Sequence, residues 1–313
     1  MKAIILSGFG GVEHLVPQEI PTPILNDDEV LIQVKAISIN PVDVKTRSGK
    51  GLSGLLKEQN PLILGWDVSG IVTNVGLGVT GFQVGDAVFG MINFPGHGQA
   101  YAEYVAAPAS QLAHKPANLS HEEAAAATLA ALTAWQGLVD HAKLQPGQRL
   151  LVHAAAGGVG HYVVQIAKHL GAYVIGTASA ANKDFVLSLG ADEHIDYKAQ
   201  RFEEAVSAVD VVYDTLGGDT IDRSLEVLKP GGTILSIPSG LNEQVTEKAA
   251  ARGVNGIRYR VQSDGEDMKA LAALLEKGML KSRVFKTYSF DQMAEAHLQL
   301  ETGKTAGKVV VRV

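Results

Sequence analysis

The 313-residue chain is longer than one hydrophobic core comfortably serves, so two domains are expected. Its net charge of −6, without a basic block, argues against nucleic acid or an anionic membrane as partner. It has no cysteine, which excludes disulfides, thiolate zinc sites, iron–sulfur clusters and cysteine nucleophiles, and fits a reducing, cytoplasmic setting.

The apolar run Met1–Leu6 is too short for a signal peptide, and no apolar stretch approaches the roughly 20 residues of a membrane span. As far as about Pro116 the pattern is strands and turns: Lys2–Leu6, Glu29–Ser38, Val68–Val75 and Ala102–Ala107, with glycine connectors such as Gly76–Gly81. Short strands at close spacing suggest a small barrel or sandwich. Ser120-x-x-Glu123 is a capping box that opens an alanine-rich helix running through Trp135. From Arg149 strands and helices alternate. Arg149–Ala154, Tyr173–Thr177, His194–Asp196, Asp210–Asp214, Thr233–Ile237 and Ile257–Val261 read as strands, with helical spacing at Val163, Ile166, Ala167 and Leu170. This is the pattern of a doubly wound α/β domain. From about Arg283 short β texture returns and ends in Lys308–Val313, which is expected to rejoin the first domain.

The strongest local signal is Leu150-Leu151-Val152-His153-Ala154-Ala155-Ala156-Gly157-Gly158-Val159-Gly160. Gly157 and Gly160 match the second and third glycines of the dinucleotide fingerprint, with Ala155 in the first slot. Small residues are needed there because a pyrophosphate must approach backbone amides at a helix N-terminus. In NAD sites an acidic residue about twenty positions further on binds the ribose 2′-hydroxyl. None occurs here from Ala154 to Lys183; the strand ends in Gly176-Thr177-Ala178-Ser179, and Lys183 follows. A hydroxyl and a cation suit a 2′-phosphate, so the expected cofactor is NADPH.

Asn40-Pro41-Val42-Asp43, Leu64-Gly65-Trp66-Asp67-Val68-Ser69-Gly70, Gly85-Asp86, Tyr101-Ala102-Glu103-Tyr104, the Ala154–Gly160 turn and Gly307-Lys308-Val309 occur in an order that covers essentially the whole chain. That order resembles the medium-chain dehydrogenase/reductase superfamily, in its zinc-independent quinone oxidoreductase branch. The resemblance implies an α/β fold: a doubly wound parallel Rossmann sheet plus a GroES-like, mostly β barrel domain. The barrel is expected over residues 1–118, completed by 283–313, and the NADP-binding domain over 119–282. The active site would lie in the cleft between the two. Carried over by position, Asn40 lines the nicotinamide pocket and Thr133 sits near the nicotinamide ribose or carboxamide. Ala156, Gly157, Gly158 and Val159 hold the pyrophosphate, and Ser179, Lys183 and Tyr197 resemble the 2′-phosphate contacts. The loops Leu216-Gly217 and Ile237-Pro238-Ser239 follow strands on the ligand-binding edge.

The resemblance also allows a metal test. The cysteine, histidine and cysteine that hold catalytic zinc in related alcohol dehydrogenases match Asn40, Trp66 and Leu129, none of which is the expected ligand. The structural-zinc lobe is missing too, and the ten histidines show no HExxH spacing. Without a metal, charge developing on the acceptor must be met by hydrogen bonds, for which Asn40 and Thr46 are the candidate catalytic groups and His97 a further pocket candidate. Several quinone reductases of the branch carry a tyrosine after the asparagine. Val44–Gly51 contains no aromatic residue, which leaves a quinone and an enone as equal candidates. A homodimer, paired through the last Rossmann strand near Ile257–Val261, is also implied. Two rivals stand beside this reading. One is an NADPH-binding structural or regulatory protein with little turnover. The other is a hydrolase or phosphotransferase, which lacks support: there is no G-x-S-x-G, and Gly303-Lys304-Thr305 has Leu298 where a P-loop needs glycine.

Overall fold

The computed structural model describes residues 1–313 and divides into two units, one of residues 1–132 and 262–313, the other of residues 133–261. The first unit begins with β1 (Lys2–Leu6), β2 (Leu15–Glu19), β3 (Glu29–Ile39), β4 (Asp67–Val75), β5 (Ala87–Met91), β6 (Tyr104–Pro108) and β7 (Ala113–His114). The second holds β8 (Arg149–Val152), β9 (Tyr173–Ala178), β10 (Glu193–Asp196), β11 (Val209–Asp214), β12 (Leu228–Ser236) and β13 (Asn255–Arg258). The tail returns to the first unit with β14 (Val284–Ser289) and β15 (Lys308–Arg312).

In the first unit β3 is the axis. Along it, buried residues alternate with half-buried ones before the strand becomes wholly buried at its end, as a strand covered by other elements should. The sheet order is β14-β15-β3-β4-β5-β7, with β6 also on β3, while β1 and β2 form a separate hairpin. The tail joins this sheet: β15 runs antiparallel to β3 from Val309↔Ile39 to Arg312↔Ala36.

The unit boundaries differ from the expected breaks at 118/119 and 282/283. Helix His121–Ala126 packs on β3, β4 and β15, and helix Gly265–Glu276 packs on β7, so both stay with the first sheet. An alanine-rich helix reads the same whichever sheet it covers, so composition alone places it poorly. Its alanines allow a close approach, with Ala125 and Ala126 against Ala36 and Val310. The capping box is present, Ser120 Oγ accepting the Glu123 amide at 3.2 Å. The helix is not continuous through Trp135, however. It stops at Ala126, and a second helix, Leu129–Gln136, begins after Thr128 turns its hydroxyl to Ala125 O at 2.8 Å.

The second unit is an all-parallel sheet in the order β10-β9-β8-β11-β12-β13. Numbered within the unit this is 3-2-1-4-5-6, the doubly wound order whose direction reverses between β8 and β11. Its core is dense in branched aliphatics, Leu151, Ile175, Val212 and Ile234 among them, as expected for strands covered on both faces. β8 ends at Val152, two residues short of the expected Ala154, and two further strands differ more. β12 starts at Leu228, five residues early, because the ladder resumes through a register shift across Pro230-Gly231-Gly232. β13 ends at Arg258, so Tyr259 and Val261 turn into the core and do not form the edge.

Candidate active site

In the second unit, β8 ends at Val152 and the chain turns sharply, with Ala154 at φ +48°. Ala155 N–H donates to Thr177 O and Gly157 N–H to Ala154 O. The amides of Gly158 and Val159 have no acceptor within the protein, and they lie at the start of helix Gly160–His169. Two free donors at the positive end of a helix, at the switch point of the sheet, form an anion cradle. Gly157 belongs to this turn, but its amide is spent in closing it. Gly160 is obligatory, since a Cβ there would lie 2.2 Å from Ala154 O. Beneath the turn, His153 is buried with Nε2 2.9 Å from Ser224 Oγ and Nδ1 3.3 Å from Thr177 Oγ1. Burial pushes its pKa down to about 4, so it is a neutral hydrogen-bonding strut.

The register Asp196↔Ala178 brings the ends of β9 and β10 together, and Tyr197 N–H donates to Ala178 O. Ser179 and Tyr197, which follow these strands, are therefore neighbours on one edge. Lys183 is exposed at the start of helix Lys183–Ser188, and its ammonium has no protein partner. The three residues expected to read a 2′-phosphate thus share the carboxyl edge. Sequence reasoning missed a fourth group there: the Lys198 ammonium lies 5.9 Å from the centre of the Tyr197 ring.

The two remaining loops are tied together by Asp214 at the end of β11. Its buried carboxylate accepts the amides of Leu216 and Gly217, both at 3.0 Å, and the Ser236 hydroxyl at 2.6 Å. Leu216-Gly217 and Ile237-Pro238-Ser239 follow β11 and β12 directly, on the same edge as the anion cradle. Thr133 is nearly buried, and its carbonyl accepts hydroxyl protons from Tyr213 and Tyr259.

In the first unit Asn40 is the centre of a buried charged group. Its Nδ2 donates to Asp67 Oδ2 at 2.7 Å, and the Lys308 ammonium donates to its Oδ1 and, at 3.2 Å, to Ile39 O. Asp67 also accepts the Leu129 amide at 2.9 Å, starting that helix, while Asp43 Oδ2 accepts the Asn40 amide at 2.8 Å. All four side chains are buried. Burial raises the pKa of Asp67, lowers that of Lys308 and pushes Asp43 up to about 7. Asn40 is thus committed to internal partners through both ends of its amide.

Thr46 differs from expectation. It is fully buried, and its Oγ1 accepts the Leu52 amide at 3.2 Å, which makes it a brace for the following loop. His97 Nε2 accepts the Ile63 amide at 3.2 Å, a structural contact. Trp66 is buried with Nε1–H on Gly96 O at 2.8 Å. Asp67 and Lys308 were not singled out from sequence as site residues. A lysine beginning a run of buried valines was the available signal.

A doubly wound sheet with an anion cradle at its switch point, joined to a mostly β unit, defines a two-domain α/β protein of the dinucleotide-binding class. Residues 26–117 match the family model of the alcohol dehydrogenase GroES-like domain, and residues 189–311 match that of a zinc-binding dehydrogenase. The chain is 36% identical to the 2-methylene-furan-3-one reductase of Solanum lycopersicum over 99% of its own length and 79% of that protein. Identity and coverage are the same for the chloroplastic NADPH-dependent alkenal/one oxidoreductase of Arabidopsis thaliana. The solved quinone oxidoreductase from Coxiella burnetii superposes with a TM-score of 0.95 at 38% identity, covering 100% of this chain and 99% of that one. The chain belongs to the medium-chain dehydrogenase/reductase superfamily, in its quinone-oxidoreductase-like branch.

Proposed function

We propose that the chain is an NADPH-dependent, zinc-independent oxidoreductase that passes hydride to a quinone or to an α,β-unsaturated carbonyl. The carrying observation is the edge of the second unit, where unsatisfied amides and the acid-free end of β9 at Ser179, with Lys183 and Tyr197 beside it, fit a phosphorylated dinucleotide. The relatives whose names specify alkenal/one and furanone reduction support the acceptor class.

The amides of Gly158 and Val159 hold the pyrophosphate, and Ser179, Lys183, Tyr197 and Lys198 surround the 2′-phosphate. Asp214 fixes the loops Leu216-Gly217 and Ile237-Pro238-Ser239 that follow toward the nicotinamide half, and Thr133 meets that half. When bound, NADPH supplies the hydride, and the chain's contribution is placement and exclusion of water. Asn40 retains a positioning role through its amide, held by Lys308 and Asp67. Zinc does not fit these residues. The Asn40 oxygen faces an ammonium, the one polar side-chain atom of Trp66 is a donor already used, and no cysteine is present.

Mixing the purified protein with NADPH and a panel of quinones and 2-alkenals, and following the reduced cofactor's absorbance, tests the reading. Turnover with NADPH over NADH is expected. Lys183→Ala should raise the Michaelis constant for NADPH on the order of tenfold and leave that for NADH unchanged, while Ser179→Asp should move preference toward NADH. Equal effects of Lys183→Ala on both cofactors would remove the phosphate assignment. Stoichiometric NADPH binding without turnover on any acceptor would favour a regulatory protein.

No helix is long and apolar enough to cross a membrane, and a cytoplasmic location is the accompanying proposal. The short edge strand β13 leaves one side of its ladder open, and pairing of that edge with a second copy gives a homodimer. Light scattering at micromolar concentration should return twice the mass of one chain; a single-chain mass would exclude this.

A further inference from the structure

Helix Leu129–Gln136 runs into a single wide turn, Gly137–His141, closed by Ala142 N–H on Gly137 O. Such five-residue turns are rare and concentrate at functional positions. Their causes include side chains entering the helical ladder, and two phenols do so here. Tyr213 Oη donates to Thr133 O at 2.6 Å, Tyr259 Oη donates to the same carbonyl, and the two hydroxyls are 2.8 Å apart. Tyr259 Oη also takes a hydrogen bond from the Gly137 amide. Gly137 and Thr133 are the pair that a regular helical turn joins directly, and the Tyr259 hydroxyl bridges them.

The arrangement leaves no tolerance. A Cβ on Gly137 would sit 2.6 Å from Tyr213 Oη and 2.8 Å from Tyr259 Oη. Tyr213 stands on the central strand β11 and Tyr259 follows β13, so the carbonyl is gripped from two strands of the sheet. Burial raises both phenol pKa values, which keeps both hydroxyls as neutral donors. His141 lies against the Tyr259 ring at 4.5 Å between centroids.

We infer that Tyr213 and Tyr259 are positioning residues for Thr133, fixing the roll of the helix where that residue meets the nicotinamide half of the cofactor. The inference rests on the function proposed above. Removing the bridge lets Gly137 and Thr133 bond directly, tightens the turn and rolls Thr133 away from its set direction. Because cofactor retention rests on the phosphates, the loss should fall on hydride transfer and not on binding.

The test uses Tyr259→Phe, Thr133→Ala and the double variant. Tyr259→Phe should lower kcat about tenfold, leave the NADPH dissociation constant by fluorescence titration within about twofold, and enlarge the isotope effect with 4-deuterated NADPH. In the cofactor-free protein, amide hydrogen exchange at Gly137 should slow as its direct bond to Thr133 forms. The double variant should be no slower than Thr133→Ala alone, since both changes remove one arrangement. A wild-type kcat and isotope effect in Tyr259→Phe, or losses that simply add in the double variant, would overturn the inference while leaving the reductase reading intact. An inactive wild type would remove both. Should Tyr259→Phe fail to fold, Tyr213→Phe removes one donor, keeps the bridge, and should show the same non-additivity with a loss of about threefold.

Discussion

Gly160→Ala should abolish nucleotide binding, with the NADPH dissociation constant rising more than about a hundredfold. The added Cβ would lie 2.2 Å from Ala154 O and 2.9 Å from both Ala154 C and Ala155 Cα. All three are backbone atoms and cannot swing aside. Ala154 already occupies φ +48°, a region in which an L-residue is strained, so the turn has little freedom left to absorb the push. Relief has to come from moving the helix start, which carries the Gly158 and Val159 amides away from a common focus. Overpacking of this kind costs about 1–3 kcal/mol even where side chains can adjust. Gly157→Ala is the graded control: its Cβ would stand 3.1 Å from Ala154 O, a tight but tolerable contact, and should weaken binding no more than about tenfold. Fluorescence titration of NADPH, with circular dichroism to verify folding, reads both. Wild-type affinity in Gly160→Ala would show that the turn does not cradle the cofactor.

Lys308→Met should destabilise the protein by about 3–5 kcal/mol, the usual cost of leaving one member of a buried ion pair alone. The carboxylate left behind, Asp67, is fully buried, and burial already raises its pKa with the ammonium in place. Asn40 Oδ1 loses its donor in the same change. Desolvation therefore dominates, and the intact pair contributes little net stability although its rupture is costly. A second change separates charge from packing. Lys308→Met combined with Asp67→Asn removes the stranded charge while keeping an acceptor for Leu129 N–H, and it should recover part of the loss. Denaturant titration of the wild type and both variants measures this. A double variant less stable than Lys308→Met would show that the penalty is not electrostatic.

What could be read from the sequence was local or periodic. The Ser120/Glu123 box, the strand–turn–helix around Gly157 and the alternation after Arg149 each lie within a few residues of chain, and each is present. The missing acid between Ala154 and Lys183 pointed to the strand end that the fold assembles beside Tyr197. What escaped was long in range. Asn40 meets residues 27 and 268 positions away, and Thr133 meets residues 80 and 126 positions away. No local pattern announces such pairs. Thr46 shows the converse: a polar residue in a suggestive loop was needed to hold Leu52 N–H. Pro230-Gly231-Gly232 read as a break, yet β12 passes through it because a shift in register absorbs the irregularity.

The insertion of β15 between β14 and β3 sets an order of events during synthesis. All six strands of the second unit come from one uninterrupted stretch of chain, residues 133–261, so that sheet can close while the ribosome is still at work. The first unit begins before the second and is completed after it. Until Val309 to Arg312 emerge, the Ala36–Ile39 segment of β3 has no partner on the side that β15 will occupy, and Lys308 has not reached Asp67. The nascent chain therefore carries an open, apolar strand edge while the whole of the second unit is being made, and the sheet started before that unit is closed only after it.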